Sequence, residues 1–292
     1  MDKVYFRNSQ RMVEIADEIA GLVMFDPPLW NHVKYSVADG QLGNYGDYQQ
    51  YLDGLIQVVD ECVRVLRDGG VLVTTVPDVL LMRENRVINT ISFHSDIADI
   101  MRGCGLKLIS SVAVLVGDEK KRDYIPADDN LFRMREDFRT TRLTIVQVFC
   151  KGEVSDSLQN KVIEDYWDNV IRFGSESTVF GSRWMYRLIT KLLNWRWLWK
   201  IKQKLFNKKF QDKTRSTRCD YPVRASGELF TWVINRWSGE GDLVVDPFLG
   251  TGTTLTVCQK INRRCIGYEI NPVARQVILK NSPRPNSVEV IS

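Results

Sequence analysis

The chain has 292 residues, 44% of them hydrophobic and 26% charged, with a formal net charge of +4; this supports one large α/β domain, or a domain plus a small insert, with a core that needs no disulfide staple. Its six cysteines (Cys62, Cys104, Cys150, Cys219, Cys258 and Cys265) form no C-x-x-C pair and it has two histidines, so no metal site is expected and the thiols read as scattered buried groups in a reducing compartment. The start, MDKVYFRNSQRM, lacks an apolar signal core, and no stretch approaches the roughly 20 apolar residues of a membrane span, so a cytoplasmic, intracellular protein is expected.

In chain order, Gly21 to Phe25 (GLVMF) is a short apolar run closed by Asp26-Pro27-Pro28, the pattern of a buried strand entering a loop. Asp47 to Leu66 reads as a helix, with Tyr51, Leu55, Val58, Val59, Cys62 and Leu66 at helical spacing. Asp68-Gly69-Gly70 stops it before a strand over Val71 to Val76. Ser95 to Met101 reads as a helix ended by Gly103 and Gly105, and Leu108 to Val116 and Leu143 to Phe149 as two later strands. Glu119 to Asp123 and Asp128-Asp129 read as solvated loop, as does Arg133 to Arg142, although the latter could touch phosphate. Ser155 to Thr217 has no clear strand and is basic and aromatic; then a helix over Gly227 to Trp237, a strand at Leu243 to Val245, a helix over Thr253 to Lys260 and a strand over Cys265 to Tyr268 restore the grammar of a parallel α/β sheet.

Two loops carry chemistry. In DLVVDPFLGTGTTLTVCQ a glycine-rich turn joins a strand to a helix; Gly250 and Gly252 let the backbone turn tightly and approach a ligand, and amides at the helix start favour a negative group such as a carboxylate. Glu269, ending the next strand, is placed to accept hydrogen bonds from ribose hydroxyls, so the pair of features implies an adenosine-containing ligand. Two glycines alone are as often a simple strand-helix turn, and Asp-Pro-Pro alone often just ends a strand. The full string Asp246-Pro247-Phe248-x-Gly250-x-Gly252-Thr253-Thr, followed by Gly-x-Glu269, is more specific, and no lysine follows the glycines as in a phosphate-binding loop.

That string, together with Asp26-Pro27-Pro28, resembles the amino-methylating (N6-adenine/N4-cytosine) DNA methyltransferase family, in the class whose catalytic motif precedes the cofactor motif. The resemblance implies a Rossmann-like α/β fold, circularly permuted, with an α-rich basic insert, and S-adenosyl-L-methionine as cofactor. It implies Asn8, Asp246, Pro247, Phe248, Gly250, Gly252, Thr253, Glu269 and Asn271 as cofactor-binding residues, and Asp26, Pro27, Pro28, Leu29 and Trp30 as the catalytic loop. An exocyclic amine is a poor nucleophile because its lone pair is delocalised; a carboxylate and a proline-fixed carbonyl that accept its two hydrogens draw the nitrogen toward a tetrahedral shape. Leu29 stands where the family places an aromatic for a flipped base, with Trp30 next, and Asn8 stands where the family has aspartate. Asp26 points to adenine N6, whereas Asp39 to Gly43 and Val65 to Gly70 are similar to the Ser-Pro-Pro-Tyr subgroup that makes N4-methylcytosine. An RNA methyltransferase and a catalytically degenerate nucleic-acid-binding member remain open beside the site-specific DNA enzyme of a restriction-modification system, as does a homodimer. His32, near the catalytic loop, is a candidate substrate contact with no base role assigned, since a lone histidine is more often structural, and Asp78, which follows the Val71 strand, is a candidate for lining the pocket.

The expected organisation is a catalytic part at 1–154, a basic target-recognition insert at 155–219 and a cofactor-binding part at 220–292. Between Arg172 and Arg218 the cations Arg183, Arg187, Lys191, Lys200, Lys202 and Lys204, among others, are opposed by Glu176 and Asp212, while Trp184, Leu188, Leu192, Trp195 and Trp199 form a helical stripe. Contact with double-stranded DNA leads over a membrane-surface helix and over a solvated helix packed through its tryptophans. Replacing Lys200, Lys202 and Lys204 by alanine is expected to weaken duplex binding and flatten its salt dependence by about one unit of slope per phosphate no longer neutralised; titrations at several salt concentrations read this directly, and an unchanged slope removes the segment from the interface.

Overall fold

A computed structural model describes residues 1–32, 39–83, 86–116, 138–166, 170–173 and 227–292. Strands β1 (Asp2–Tyr5), β2 (Ala20–Phe25), β3 (Leu66–Arg83), β4 (Arg86–Ile91), β5 (Lys107–Val116), β6 (Phe138–Cys150), β7 (Val170–Phe173), β8 (Leu243–Asp246), β9 (Arg264–Tyr268) and β10 (Val288–Ile291) join in one sheet of order β10-β1-β9-β8-β2-β3-β6-β5-β7, with β4 on β3. The helices are α1 (Tyr48–Val65), α2 (Phe93–Gly103), α3 (Asp156–Tyr166), α4 (Gly227–Trp237), α5 (Thr253–Lys260) and α6 (Ala274–Asn281).

The strands from β10 to β3 run parallel, so the tips of β1, β9, β8 and β2 end side by side. A parallel sheet must be covered on both faces, and the alternation of side chains divides the core accordingly. Val23, Phe25, Leu72, Val76 and Val245 point to the face covered by α1 and α2. Leu22, Met24, Val71, Val73 and Val244 point to the face covered by α4, α5 and α6, through residues such as Phe230, Leu255 and Ile278.

α1 starts where the Asp47 carboxylate accepts the Gln50 amide at 3.0 Å, a side-chain cap that satisfies a donor the helix itself cannot. Tyr51, Leu55, Val58, Val59, Cys62 and Val65 form its buried face. At its far end the Lys151 ammonium donates to the carbonyls of Val63 (2.9 Å) and Leu66 (2.8 Å) and to Glu18 (3.1 Å), placing a cation at the negative end of the helix.

The structure departs from the sequence expectations in four places. The sheet is mixed, because β6 runs antiparallel to both β3 and β5; hydrophobic pattern does not encode strand direction. β3 is 18 residues long rather than the expected Val71 to Val76, since Gly69 and Gly70 pair with Lys151 and the other end pairs with β4 and β6 beyond Pro77. The four residues of β7 form a strand inside the segment read as strandless, parallel to β5. Residues 138–142, read as the end of an exposed loop, begin β6 instead. The basic insert's Arg183, Arg187, Lys191, Lys200, Lys202 and Lys204 lie outside the described residues.

Lys151→Met should lower the unfolding free energy by about 2 kcal/mol, since two carbonyls lose a charged donor; urea unfolding measures it, and an unchanged midpoint would show that water replaces the ammonium at no cost.

Candidate functional site

The glycine turn after β8 is built by two buried carboxylates. Asp246 accepts the Phe248 amide at 2.9 Å and the Thr254 hydroxyl, tying the strand end to the first turn of α5. Glu269, one residue past β9, accepts the Gly250 amide at 2.8 Å on one oxygen and the Asn271 amide at 2.7 Å on the other. The Leu249 amide donates to the Tyr268 carbonyl at 2.8 Å, so side chain and backbone together bind the turn to the β9 tip. Gly250 (φ +55°) and Gly252 (φ +81°) are left-handed, a conformation that costs glycine little, and a Cβ on Gly252 would stand 3.2 Å from Ile278.

Burial pushes both acids upward, each to about 7, Asp246 against the hydrogen bonds it accepts from Thr254 and Phe248 and Glu269 against those from Asn271 and Gly250, with the nearby Asp246 charge adding to the rise at Glu269. The Glu269 carboxylate accepts backbone amides from Gly250, Asn271 and Ile270, and its two oxygens carry about four lone-pair sites, so acceptor capacity remains for a ribose hydroxyl. The residues present therefore fit an adenosine-type ligand: an acidic acceptor at one strand tip and a tight left-handed turn at the next. Asn271 is buried, and its side-chain oxygen accepts the Val273 amide at 3.1 Å. Pro247 and Thr253 are buried behind the turn.

The Asp26 loop leaves β2, the neighbour of β8 on its other side. Val23 pairs with Val245, and beyond them the Phe25 and Phe248 rings meet edge to face with centroids 5.5 Å apart. Asp26 is half-buried and Pro27 and Pro28 are buried. The Trp30 amide donates to the Pro28 carbonyl at 2.9 Å. Trp30 itself is left-handed, φ +46°, a conformation that costs a bulky residue of order 1–3 kcal/mol and persists where surroundings enforce it. Those surroundings are visible: its indole lies edge-on to Tyr48, centroids 5.2 Å apart, and Tyr48 packs on Tyr51 and Phe93 and donates its hydroxyl to Asp96. Leu29 also packs on this core.

Asn8 follows β1, next to β9, where the Glu269 amide donates to the Tyr5 carbonyl at 3.0 Å. Its side chain closes a turn on Gln10, accepting the Gln10 amide at 2.9 Å and donating to the Gln10 side chain at 2.6 Å. The predicted residues Asn8, Glu269, Gly250 and Asp26 thus stand at the tips of four adjacent strands. Asp78 lies on β3 and binds His94 Nδ1 at 2.8 Å. The His32 side chain lies outside what is described, and among the described residues no cluster of three metal-ligating side chains occurs. Sequence reasoning did not single out Thr254, although it sits in the Gly-Thr-Thr string, nor Tyr48, which is 18 residues from Trp30 and carries no local signal.

A family model for DNA methylases of the N6/N4 type matches residues 20–280. The chain belongs to that family. It is an amino-methylating DNA methyltransferase, and its methyl donor is S-adenosyl-L-methionine. Type II methyltransferase M.MjaI of Methanocaldococcus jannaschii is 23% identical over 94% of this chain and 89% of its own length. Type II methyltransferase M.MthZI of Methanothermobacter thermautotrophicus is 24% identical over 92% of this chain and 73% of its own. Protein TTHA0409 of Thermus thermophilus, solved with S-adenosyl-L-methionine, superposes with a TM-score of 0.59 at 22% identity over the whole of both chains. The cytosine-N4-specific PvuII DNA methyltransferase superposes with 0.58 at 18% identity, covering 100% of this chain and 95% of its own. These likenesses give the enzyme the Rossmann-like methyltransferase fold. No helix among the described residues is long and apolar enough to cross a membrane.

The two buried acids make the ligand-free enzyme sensitive to pH. Their folded pKa values lie above the unfolded ones, so the stability they contribute is complete below about pH 4 and is lost as pH rises through about 7. Asp246→Asn removes one of the two, so its melting temperature relative to wild type should climb between pH 4 and pH 8 and then level off. A flat difference across that range would show that Asp246 is ionised at no cost.

Proposed function

We propose that the enzyme methylates the exocyclic amine of a base flipped out of duplex DNA, and that the base is adenine, modified at N6. The adjacency of the Asp26 loop and the glycine turn, on neighbouring strand tips joined by the Phe25–Phe248 contact, carries this reading. Asp26 and the Pro27 carbonyl accept the two amine hydrogens. The Trp30 amide donates to the Pro28 carbonyl, and the resemblance to the family assigns the Pro27 carbonyl as the backbone acceptor. Prolines at 27 and 28 fix the loop's φ angles, so the acceptors are in place before the base arrives. When bound, S-adenosyl-L-methionine supplies a methyl group activated by its sulfonium. Glu269 would hold its ribose, the turn at Phe248, Gly250 and Gly252 its amino-acid end and ring, and Asn8 its adenine. Asp246, which accepts the Phe248 amide and the Thr254 hydroxyl, acts by shaping that turn. Leu29 and Trp30 form the apolar side against which the flipped base rests.

Cytosine N4 is the second reading, favoured by the similarity of Asp39 to Gly43 and Val65 to Gly70 to the N4-cytosine subgroup. We further propose that the chain is a permuted version of the fold in which 1–154 and 220–292 form the methyltransferase domain and 155–219 recognises the target, as part of a restriction-modification system.

Digestion of mixed-sequence duplex DNA to nucleosides after incubation with S-adenosyl-L-methionine, followed by mass spectrometry, decides the base. N6-methyladenine is expected from wild type. Asp26→Ala should lower kcat at least 100-fold, the scale of losing one preorganised acceptor, with cofactor binding by calorimetry retained. Methylcytosine selects the second reading, and full activity in Asp26→Ala removes Asp26 from the reaction.

A further inference from the structure

The tips of β2, β8, β9 and β1 stand in that order along the sheet. Asp26 follows the first, the glycine turn the second, Glu269 the third and Asn8 lies just past the fourth. A cofactor with its amino-acid end at the glycine turn and its ribose at Glu269 therefore carries its adenine toward Asn8.

The Asn8 amide is held in one orientation. The Gln10 backbone amide donates to Asn8 Oδ1 at 2.9 Å, and a backbone N–H meets only an acceptor, so the oxygen end is fixed. Asn8 Nδ2 then donates to Gln10 Oε1 at 2.6 Å. Gln10 is itself oriented by α1: its Nε2 donates to the Gly54 carbonyl at 3.4 Å, which leaves Oε1 toward residue 8. Residue 8 must therefore accept with one atom and donate with the other. An amide does both, whereas an aspartate, the residue of the family pattern, would set oxygen against oxygen.

Two glycines make the seat for this pair. Gly40, φ +77°, lies in the segment that leads from the catalytic loop into α1. A Cβ on it would fall on the Asn8–Gln10 bond itself, inside contact distance of Asn8 Nδ2 and 3.5 Å from Gln10 Oε1. At Gly54, on the buried face of α1, a Cβ would come within 2.6 Å of Leu42 and 3.3 Å of Gln10 Nε2. Leu42 belongs to the same segment as Gly40 and is buried, in a short turn where the Gln41 side chain accepts the Gly43 amide at 3.3 Å. The chain that leaves the catalytic loop thus returns to close over the residue at the adenine end of the site.

We infer that Gln10 and Gly40 are positioning residues that lock the Asn8 amide against rotation, and that this lock makes the cofactor site selective for adenine over hypoxanthine. The inference rests on Asn8 facing the cofactor's adenine, as proposed above. With one N–H and one lone pair engaged by Gln10, Asn8 keeps one N–H and one lone pair. The N1–N6 edge of adenine offers the complement, an amino donor beside a ring acceptor, and side-chain amides pair with adenine through two such bonds elsewhere. Hypoxanthine reverses both groups, an oxygen beside a ring N–H. A free amide answers that reversal by turning over, since its two ends are nearly the same shape. An amide held by Gln10 above the bare backbone of Gly40 does not turn, and the reversed edge leaves polar groups unpaired.

The test uses the full chain with S-adenosylhomocysteine and S-inosylhomocysteine, their affinities measured by calorimetry, so that no turnover enters. Wild type should bind the adenine compound at least about 10-fold more tightly, the scale of leaving a polar group unpaired. Gln10→Met keeps the length of the side chain and removes the acceptor; it should cut the preference to about 3-fold or less, with a ligand-free melting temperature near wild type. Gly40→Ala should do the same by pushing the Asn8 amide aside. Its left-handed backbone also strains an alanine, so Gln10→Met is the variant that separates positioning from folding. Asn8→Ala should abolish the preference. A wild-type preference that survives either Gln10→Met or Gly40→Ala but is lost in Asn8→Ala would overturn the inference and leave Asn8 at the adenine. No preference in wild type, or one that survives Asn8→Ala, would overturn both.

Discussion

The site depends first on the bond between the Gly250 amide and the Glu269 carboxylate. It crosses from the turn after β8 to the tip of β9, fixing a left-handed backbone against a buried acid. Because β8 sits between β9 and β2, the same bond sets the height of Phe248 and, through the Phe25 ring, the place at which the chain leaves β2 toward Asp26. Asp246 works in parallel from beneath, holding Phe248 and Thr254. Two carboxylates buried so close together are costly in the ligand-free protein, and their backbone amide partners are what make the arrangement tolerable.

The catalytic loop is held by a different means. Its two prolines remove backbone freedom, and Trp30 is kept in an unfavourable conformation by the aromatic group of Tyr48, Tyr51 and Phe93 below it. Strain of this kind is stored where packing over-determines a residue. The hydroxyl of Tyr48 is pushed above the ordinary phenol range by burial and by its bond to Asp96, so it remains a neutral donor beneath Trp30.

Much of this could be read from residues close in sequence. Asp26-Pro27-Pro28 and the Asp246 string announce themselves because a turn is a local object, and the Asp47 cap and the buried face of α1 follow from helical spacing. What escaped notice was non-local. β4, β7 and the far half of β3 are strands because of what they pair with. Arg86 to Ile91 carries Val87, Ile88, Thr90 and Ile91, and Val170 to Phe173 carries two more β-branched residues, but nothing in either segment names the strand it joins. Asn8 illustrates the limit: its position after β1 was legible, but its turn on Gln10 and its contact with Gly40, where a Cβ would meet Nδ2 at 2.2 Å, depend on a loop more than thirty residues away.

The placement of β1 has a consequence for how the molecule assembles. Its two neighbours are β9 and β10, which follow it by more than 250 residues of chain, so β1 can pair only once that long stretch has been made. β2, β3, β5 and β6 can pair among themselves before β9 and β10 are made, whereas β1 must wait without its neighbours, its Val4 and Tyr5 exposed, until those two strands emerge. Long-range closure of this kind slows folding and leaves an apolar strand available to wrong partners in the meantime. The nascent enzyme is therefore most vulnerable to aggregation while its cofactor site is still being translated.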